Sequence, residues 1–467
     1  MKIDHHDIEI PADNPFANCK LERKKYAEAL TGIVSSYSDG FVLAINNEWG
    51  TGKTTFIKMW QQHLNKEEFK TLYFNAWEND FESNPLVAIL SEIKTLTPHK
   101  AAATFKSLLK KGAIISQSVF PAIISALAKK YIDTDEIKEV VEKLTDAATD
   151  ILKEEIDEYA AKKKGLLEFR EELKNYIEKK GDGKPLIFFI DELDRCRPNY
   201  AVEVLEQVKH FFNVEGIVFV LSIDKVQLCN AIKGVYGSEQ INTDEYLRRF
   251  IDLEYIIPPP DTGVFCNYLY EYFQFDDFIN STERRNIQAV NRDKTSIISF
   301  SELLFGYGNT TLRQQEKIYS HARIVLNYFK ANNYIFPELF IFLIYVRNIN
   351  LTLYKKIKQI QLTPQELINE FEALFPQKIN PYQLRELMAT EALLVLFYNN
   401  FYAMSHSGSR IIDKHPETRQ SVFYVNSGAK FDNSAFHSFL ESFEKERHSD
   451  VKLDYLLDKI ELTQSNS

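Results

Sequence analysis

Between Leu21 and Ser36 apolar residues recur at three- and four-residue spacing (LERKKYAEALTGIVSS), which predicts an amphipathic helix. Ser38-Asp39-Gly40 breaks that pattern, and Phe41-Val-Leu-Ala-Ile45 follows as an unbroken apolar run, read as a buried strand. A glycine-containing turn leads into a helix from Thr54 to Asn65, then come a second strand, Lys70–Asn75, and a second helix, Pro85–Thr95. The apolar runs Pro185–Ile190 and Gly216–Ile223 read as further strands. Strands alternating with helices predict a parallel sheet with crossover helices on its faces.

Residues 98–180 interrupt this alternation. They hold an uncharged run, Gly112–Ala128, and a stretch from Thr134 to Lys180 whose Glu, Lys and spaced Ile, Val and Leu suit a solvated helix over a core. Pro258-Pro259-Pro260 closes the segment, after which strand signals fade and long aromatic-rich helical stretches dominate. Leu339–Val346 is apolar throughout and predicts a helix buried on all sides. The expected fold class is α/β: a parallel sheet flanked by helices over 21–260 with a helical insertion at 98–180. A polar N-terminal arm at 1–20, a helical lid at 261–346 and an all-α C-terminal domain at 347–467 complete the expectation.

Composition narrows the classes. The 467 residues include only 16 Gly and 15 Pro, while Phe, Tyr and Trp make up 13%, which excludes collagen-like, linker-rich and disordered chains. A net charge of −10 confines any nucleic-acid contact to a local patch. Cys19, Cys196, Cys229 and Cys266 form no CxxC pair, and Met1-Lys-Ile-Asp-His-His-Asp7 has no apolar core of a signal peptide, so the expectation is a cytoplasmic protein with reduced thiols. The run 112–128 is broken by Ser116, Gln117, Ser118, Pro121 and Ser125 and is shorter than the ~20 residues a span needs. It is expected as a buried or partner-covered hairpin, with peripheral membrane association as the alternative and no transmembrane span.

Paired glycines direct attention to chemistry. Gly50/Gly52 lies in Asn47-Glu48-Trp49-Gly50-Thr51-Gly52-Lys53-Thr54-Thr55, which nearly matches G-x-x-x-x-G-K-[ST] between a strand and a helix. In that loop backbone N–H groups wrap phosphate oxygens, the lysine reaches the terminal phosphates and the hydroxyl binds Mg²⁺. Asn47 replaces the first glycine, and asparagine tolerates left-handed backbone better than other residues. Leu186–Ile190 then ends in Asp191-Glu192, where Asp191 suits the metal's shell and Glu192 the polarising of a water. The implied ligands are ATP and Mg²⁺; a GTP-selective N-K-x-D element is absent.

These stretches carry a resemblance. EWGTGKTTF around Lys53, YFNAWEND at 73–80, FFIDELDRCRP at 188–198, FVLSIDKVQLCNAIKGVYG at 219–237 and YLRRFIDLEYIIPPP at 246–260 resemble, in order, the KAP family of P-loop NTPases, a STAND/AAA+-like group, over about residues 15–330. The resemblance implies an ATP-hydrolysing fold in which Asp224 is a sensor-like group near the γ-phosphate. Arg248 and Arg249 stand where an arginine finger acts in cis or across a subunit interface, and Arg313, after Gly306/Gly308, stands at a second sensor. It further implies a conformational or assembly switch, a homo-oligomer or a co-encoded effector protein, and a role in exclusion of phage or mobile elements. A non-hydrolysing nucleotide-binding scaffold and a P-loop kinase acting on a small acceptor remain as alternatives.

Other signals are read as structural. Trp77 is expected as an aromatic plug beside Trp49, and Asn75 as a side chain bonding nearby backbone. Arg410-x4-His415 has the spacing of a ribonuclease pair, but its flanks are loop-like. His5-His6-Asp7 reads as a solvated terminus, and Lys355, Lys356 and Lys358 near Arg347 as a solvated basic helix end.

Overall fold

A computed structural model describes residues 8–95 and 164–462, apart from 38–39, 82–84, 165, 178–182, 212, 288–289, 377, 407–408, 429–431 and 447–448. The uncharged run 112–128 and His5-His6-Asp7 lie outside the described residues, as does most of 98–180. The chain forms two compact units that divide between Pro259 and Pro260.

The first unit is built on five parallel strands: β1 Val42–Asn46, β2 Thr71–Asn75, β3 Leu186–Asp191, β4 Ile217–Ile223 and β5 Leu253–Tyr255, in the order β2-β3-β4-β1-β5. Side chains alternate across a strand, so one run of apolar residues feeds two faces. Leu43, Ile45, Ile187, Phe189, Val218 and Val220 meet the helices Lys24–Ser36 and Lys53–Lys66, where Trp60 is fully buried and donates to Thr31 Oγ1 at 3.0 Å. On the other face Val42, Phe74, Phe188, Ile190, Phe219 and Leu221 pack with the helices Pro85–Thr95, Pro198–Phe211 and Lys225–Tyr236. Phe169, Leu173 and Tyr176, in helical residues 166–177 at the end of the expected insertion, join this second core.

Two details differ from the sequence pattern. The edge strand β5 was not anticipated, because Leu253-Glu254-Tyr255 is short and largely exposed and so carries no apolar run. The expected N-terminal arm is packed from residue 8 on: Phe16 is buried edge-on to His63, with 6.0 Å between ring centres, and Lys66 Nζ donates to Asp13 O at 2.8 Å.

The second unit is helical from Thr262–Tyr272 to Asp454–Ile460, except for an antiparallel hairpin of Ile412–Lys414 with Ser421–Phe423 that the all-α expectation missed. Arg410 and His415 belong to this hairpin. Arg410 pairs with Asp413 at 3.2 Å, and His415 Nδ1 accepts the N–H of Glu417 and Thr418, so the two share no helix face. Helix Pro337–Ile349 runs through positions 346 and 347, and Leu339 to Val346 are buried on every side. The lysine face is neutralised in part, Lys356 by Glu370 at 2.9 Å and Lys358 by Glu461 at 3.0 Å. No helix among the described residues is long and apolar enough to cross a membrane.

Candidate nucleotide site

Strand register assembles the site at the carboxyl edge of the sheet, where parallel α/β folds bind ligands. Asn75 stands opposite Asp191, Asp191 opposite Ser222, and Ile223 opposite Asn46, so β1, β2, β3 and β4 end at one level. The loop 47–52 leaves β1 there and enters the helix Lys53–Lys66. Gly50 at φ 80° and Gly52 at φ 79° supply its two left-handed turns, which a Cβ would strain. Asn47 does not adopt that conformation. Its side chain instead bridges to the edge strand's continuation, Nδ2 donating to Ile257 O at 2.8 Å and Oδ1 accepting Ile257 N–H at 3.0 Å. Asparagine therefore serves here through its amide and not through backbone tolerance.

Lys53 Nζ donates to Asn47 O and, at 3.1 Å, to Glu48 O, so its ammonium sits inside the loop. Burial lowers its pKa, against the nearby carboxylates of Asp194, Asp224 and Asp191. Thr54 and Thr55 are half-buried in the first turn of the helix, while Glu48 and Trp49 are exposed. Thr51 closes the turn by donating to Glu48 O at 2.8 Å.

The acids follow from the end of β3. Asp191 is buried, its Oδ2 accepting the Tyr73 hydroxyl at 3.0 Å and its Oδ1 the Glu192 N–H at 2.9 Å. Burial and then Asp191 push the Tyr73 hydroxyl well up, which keeps it a donor. Glu192 turns left-handed at φ 59°. Both of its carboxylate oxygens are engaged, Oε1 by Arg195 at 2.7 Å and Oε2 by Asn75 Nδ2 at 3.2 Å. Asn75 Oδ1 also accepts the N–H of Trp77 and Glu78, as expected of a turn-forming side chain. Trp77 is not a plug: it is 52% exposed, with the Arg195 guanidinium 5.7 Å from its ring centre.

Asp224 caps the helix Lys225–Tyr236, its Oδ1 accepting the N–H of Val226 and Gln227, while its Oδ2 accepts the Trp49 N–H at 3.3 Å. It thereby joins the loop to the end of β4. Arg248 is exposed and pairs locally with Glu245 at 3.1 Å, and Arg249 is exposed beside it. Arg313 belongs to the second unit, in the first turn of helix Leu312–Leu326, behind a Thr311–Gln314 capping box.

The donor set fits Mg²⁺. Asp191 and the Thr54 hydroxyl are hard oxygen donors, and this cation usually takes one or two carboxylates beside phosphate and water. Among the described residues no cluster of three or more His, Cys, Asp or Glu offers a rival metal cage. Among the described residues Ser222 Oγ is buried at this edge without a hydrogen-bond partner, leaving polar capacity for a hydrated ligand.

Several of these partners escape sequence reasoning. Tyr73, Asp194 and Arg195 lie inside the stretches 73–80 and 188–198 without a role that the sequence assigns them, and Tyr73 reaches Asp191 across 118 positions.

A glycine loop carrying lysine after β1, on a parallel sheet in which β3, separated from β1 by β4, delivers Asp191 and Glu192, defines the P-loop nucleoside-triphosphatase class. Residues 23–365 match the KAP family P-loop domain, and the chain belongs to that family. No protein of curated function matches it. Among solved structures it is similar to the Aeropyrum pernix ORC2 protein (ADPNP-ADP complexes), at 15% identity and a TM-score of 0.35, covering 94% of this chain and 97% of that one.

Proposed function

We propose that the protein is a Mg²⁺-dependent ATPase whose nucleotide state drives a conformational or assembly switch. The observation that carries this reading is the register that sets Ile45 opposite Ser222 and Ser222 opposite Asp191, so that the lysine loop and the acidic pair leave the same edge of the sheet on either side of β4. Lys53 exchanges its loop carbonyls for the β- and γ-phosphates, and Thr54 and Asp191 hold the metal. The metal, when bound, neutralises phosphate charge as the terminal phosphoryl departs. Glu192 orients and polarises the attacking water once one of its oxygens is released. Arg248 or Arg249 of a neighbouring copy, or Arg313, adds the remaining positive charge, and Asp224 relays the state of the loop to β4. Family membership supports a role in exclusion of phage or mobile elements beside an effector partner, with the region from 260 on as the part that reads the switch.

Phosphate release by the purified chain, with Lys53→Ala and Glu192→Gln alongside, tests this. The expectation is magnesium-dependent release that both variants abolish, with ATP binding kept by Glu192→Gln. Release no faster than in Lys53→Ala would reject hydrolysis. The double engagement of Glu192 favours one second reading, a scaffold that binds nucleotide without turnover. In that case ATP changes the protein's mass or shape and no phosphate appears.

A further inference from the structure

Arg23 stands just before the helix Lys24–Ser36, and its side chain makes no cap bond to that helix. It reaches instead to the phosphate loop, Nη2 donating to Thr51 O at 2.8 Å and Nη1 to Gly52 O at 3.0 Å. The residue is only 5% exposed, and its Nε is buried without a partner among the described residues. Among the described residues no carboxylate pairs with it, and burial lowers its pKa. Buried charges are ordinarily paired, because desolvating an unpaired ion is costly. Among the described residues the hydrogen bonds of this guanidinium go to neutral carbonyls of the loop.

The contacts dictate geometry as well as charge. In a trans peptide the C=O of one residue and the N–H of the next point in opposite directions. Drawing Thr51 O and Gly52 O toward Arg23 therefore aims the N–H groups of Gly52 and Lys53 away from it. One planar fork presets two of the donors with which such a loop wraps phosphate. The loop also opens a helix of fourteen residues, whose N-terminal end favours the same anion.

We propose that Arg23 is a positioning residue for the polyphosphate of the bound nucleotide. It orients two loop amides, and its buried charge is compensated only when an anion occupies the loop, so that anion binding and fold stability are coupled through this side chain. The inference rests on the nucleotide site proposed above and is independent of hydrolysis. It also makes pyrophosphate alone a sufficient ligand, since the base and sugar play no part in it.

The test uses the full chain as wild type, Arg23→Met, Arg23→Lys and Lys53→Ala, titrated calorimetrically with pyrophosphate and with ADP and melted with and without pyrophosphate. Methionine fills the space without charge, and lysine keeps the charge without the fork. Two charge-assisted hydrogen bonds set the scale: Arg23→Met should weaken both ligands about a hundredfold and Arg23→Lys about tenfold. Without ligand Arg23→Met should melt no lower than wild type, yet gain nothing from pyrophosphate. Wild-type affinity in both Arg23 variants would overturn the inference while leaving the nucleotide site intact if Lys53→Ala fails to bind. Ligand-free melting well below wild type in both Arg23 variants would reduce Arg23 to a structural prop and overturn it too. If wild type binds neither ligand, the nucleotide site itself falls, and this inference with it.

Discussion

Trp49 donates its indole N–H to Asp194 Oδ2, which ties the exposed shoulder of the phosphate loop to the turn following the acidic strand. The two residues are 145 positions apart, and Asp194 is buried while Trp49 is 43% exposed. Burial raises the Asp194 pKa, with Trp49 and Lys53 acting against that rise. This contact makes loop geometry depend on the state of the second motif.

The first prediction concerns that tie. Asp194→Ala and Trp49→Phe should each lower ADP affinity about tenfold, the scale of one hydrogen bond to a charged group. Because they break the same bond, the double variant should bind no worse than either single one. Calorimetric titration of the four proteins forms the cycle, and additive losses would show that the two side chains act separately.

Arg195 offers a second test. Its pairing with Glu192 occupies an oxygen that the proposed activation of water would use. Arg195→Ala should leave KM for ATP within about twofold and raise kcat severalfold, since the contact restrains the carboxylate and does not touch the phosphate loop. Steady-state phosphate release measures both constants. A fall in kcat would instead assign Arg195 to orienting the base.

A third prediction lies in the second unit. Ser427 Oγ is 2.9 Å from Glu372 Oε1 and 3.0 Å from Glu391 Oε2, and one hydroxyl proton cannot serve two carboxylates. Burial, with Glu372 second, pushes Glu391 up to about 9, so the fold favours its neutral form. Its folded pKa exceeds the unfolded one, so folding takes up a proton between about 4.5 and 9. The associated stability is complete at low pH and lost as pH rises through that window, with a slope of up to ~1.4 kcal/mol per pH unit. Chemical denaturation of the second unit at pH 6, 7 and 8.5 should follow this trend, and Glu391→Gln, which stays neutral, should flatten it.

Arg284 gives the largest expected loss of stability. It is fully buried, pairs with Asp293, donates to Ala331 O at 2.9 Å and Asn333 O at 2.8 Å, and lies 4.7 Å from the centre of the Phe278 ring. Burial still holds Asp293 up at about 6. Arg284→Ala strands that carboxylate and two carbonyls, and should cost about 3–5 kcal/mol by denaturant unfolding.

Four of the five strands are legible in the sequence: β1, β3 and β4 are apolar runs buried on both faces and β2 alternates buried with half-buried positions, while β5 is three largely exposed residues with no apolar run. Lys53, Asp191 and Glu192 are legible for a related reason: each stands where such a run ends in a turn. What holds them is not. Tyr73 and Asn75 reach the acids across 118 and 117 positions, and Arg23 reaches the loop across 28 and 29, so no local pattern records these contacts. Trp77 shows the converse error, since a tryptophan beside a motif suggests burial, and here the neighbouring Arg195 keeps it company at the surface.

The placement of the three tryptophans has a practical outcome. Trp60 is sealed beneath the sheet, Trp49 and Trp77 stand in solvent at the mouth of the site, and there is none after residue 77. Emission from the buried indole belongs at shorter wavelength than that of the two solvated ones, so a single spectrum separates melting of the first unit from occupancy of its loop. The protein thus arrives already labelled, with its reference and its probes on the same sheet.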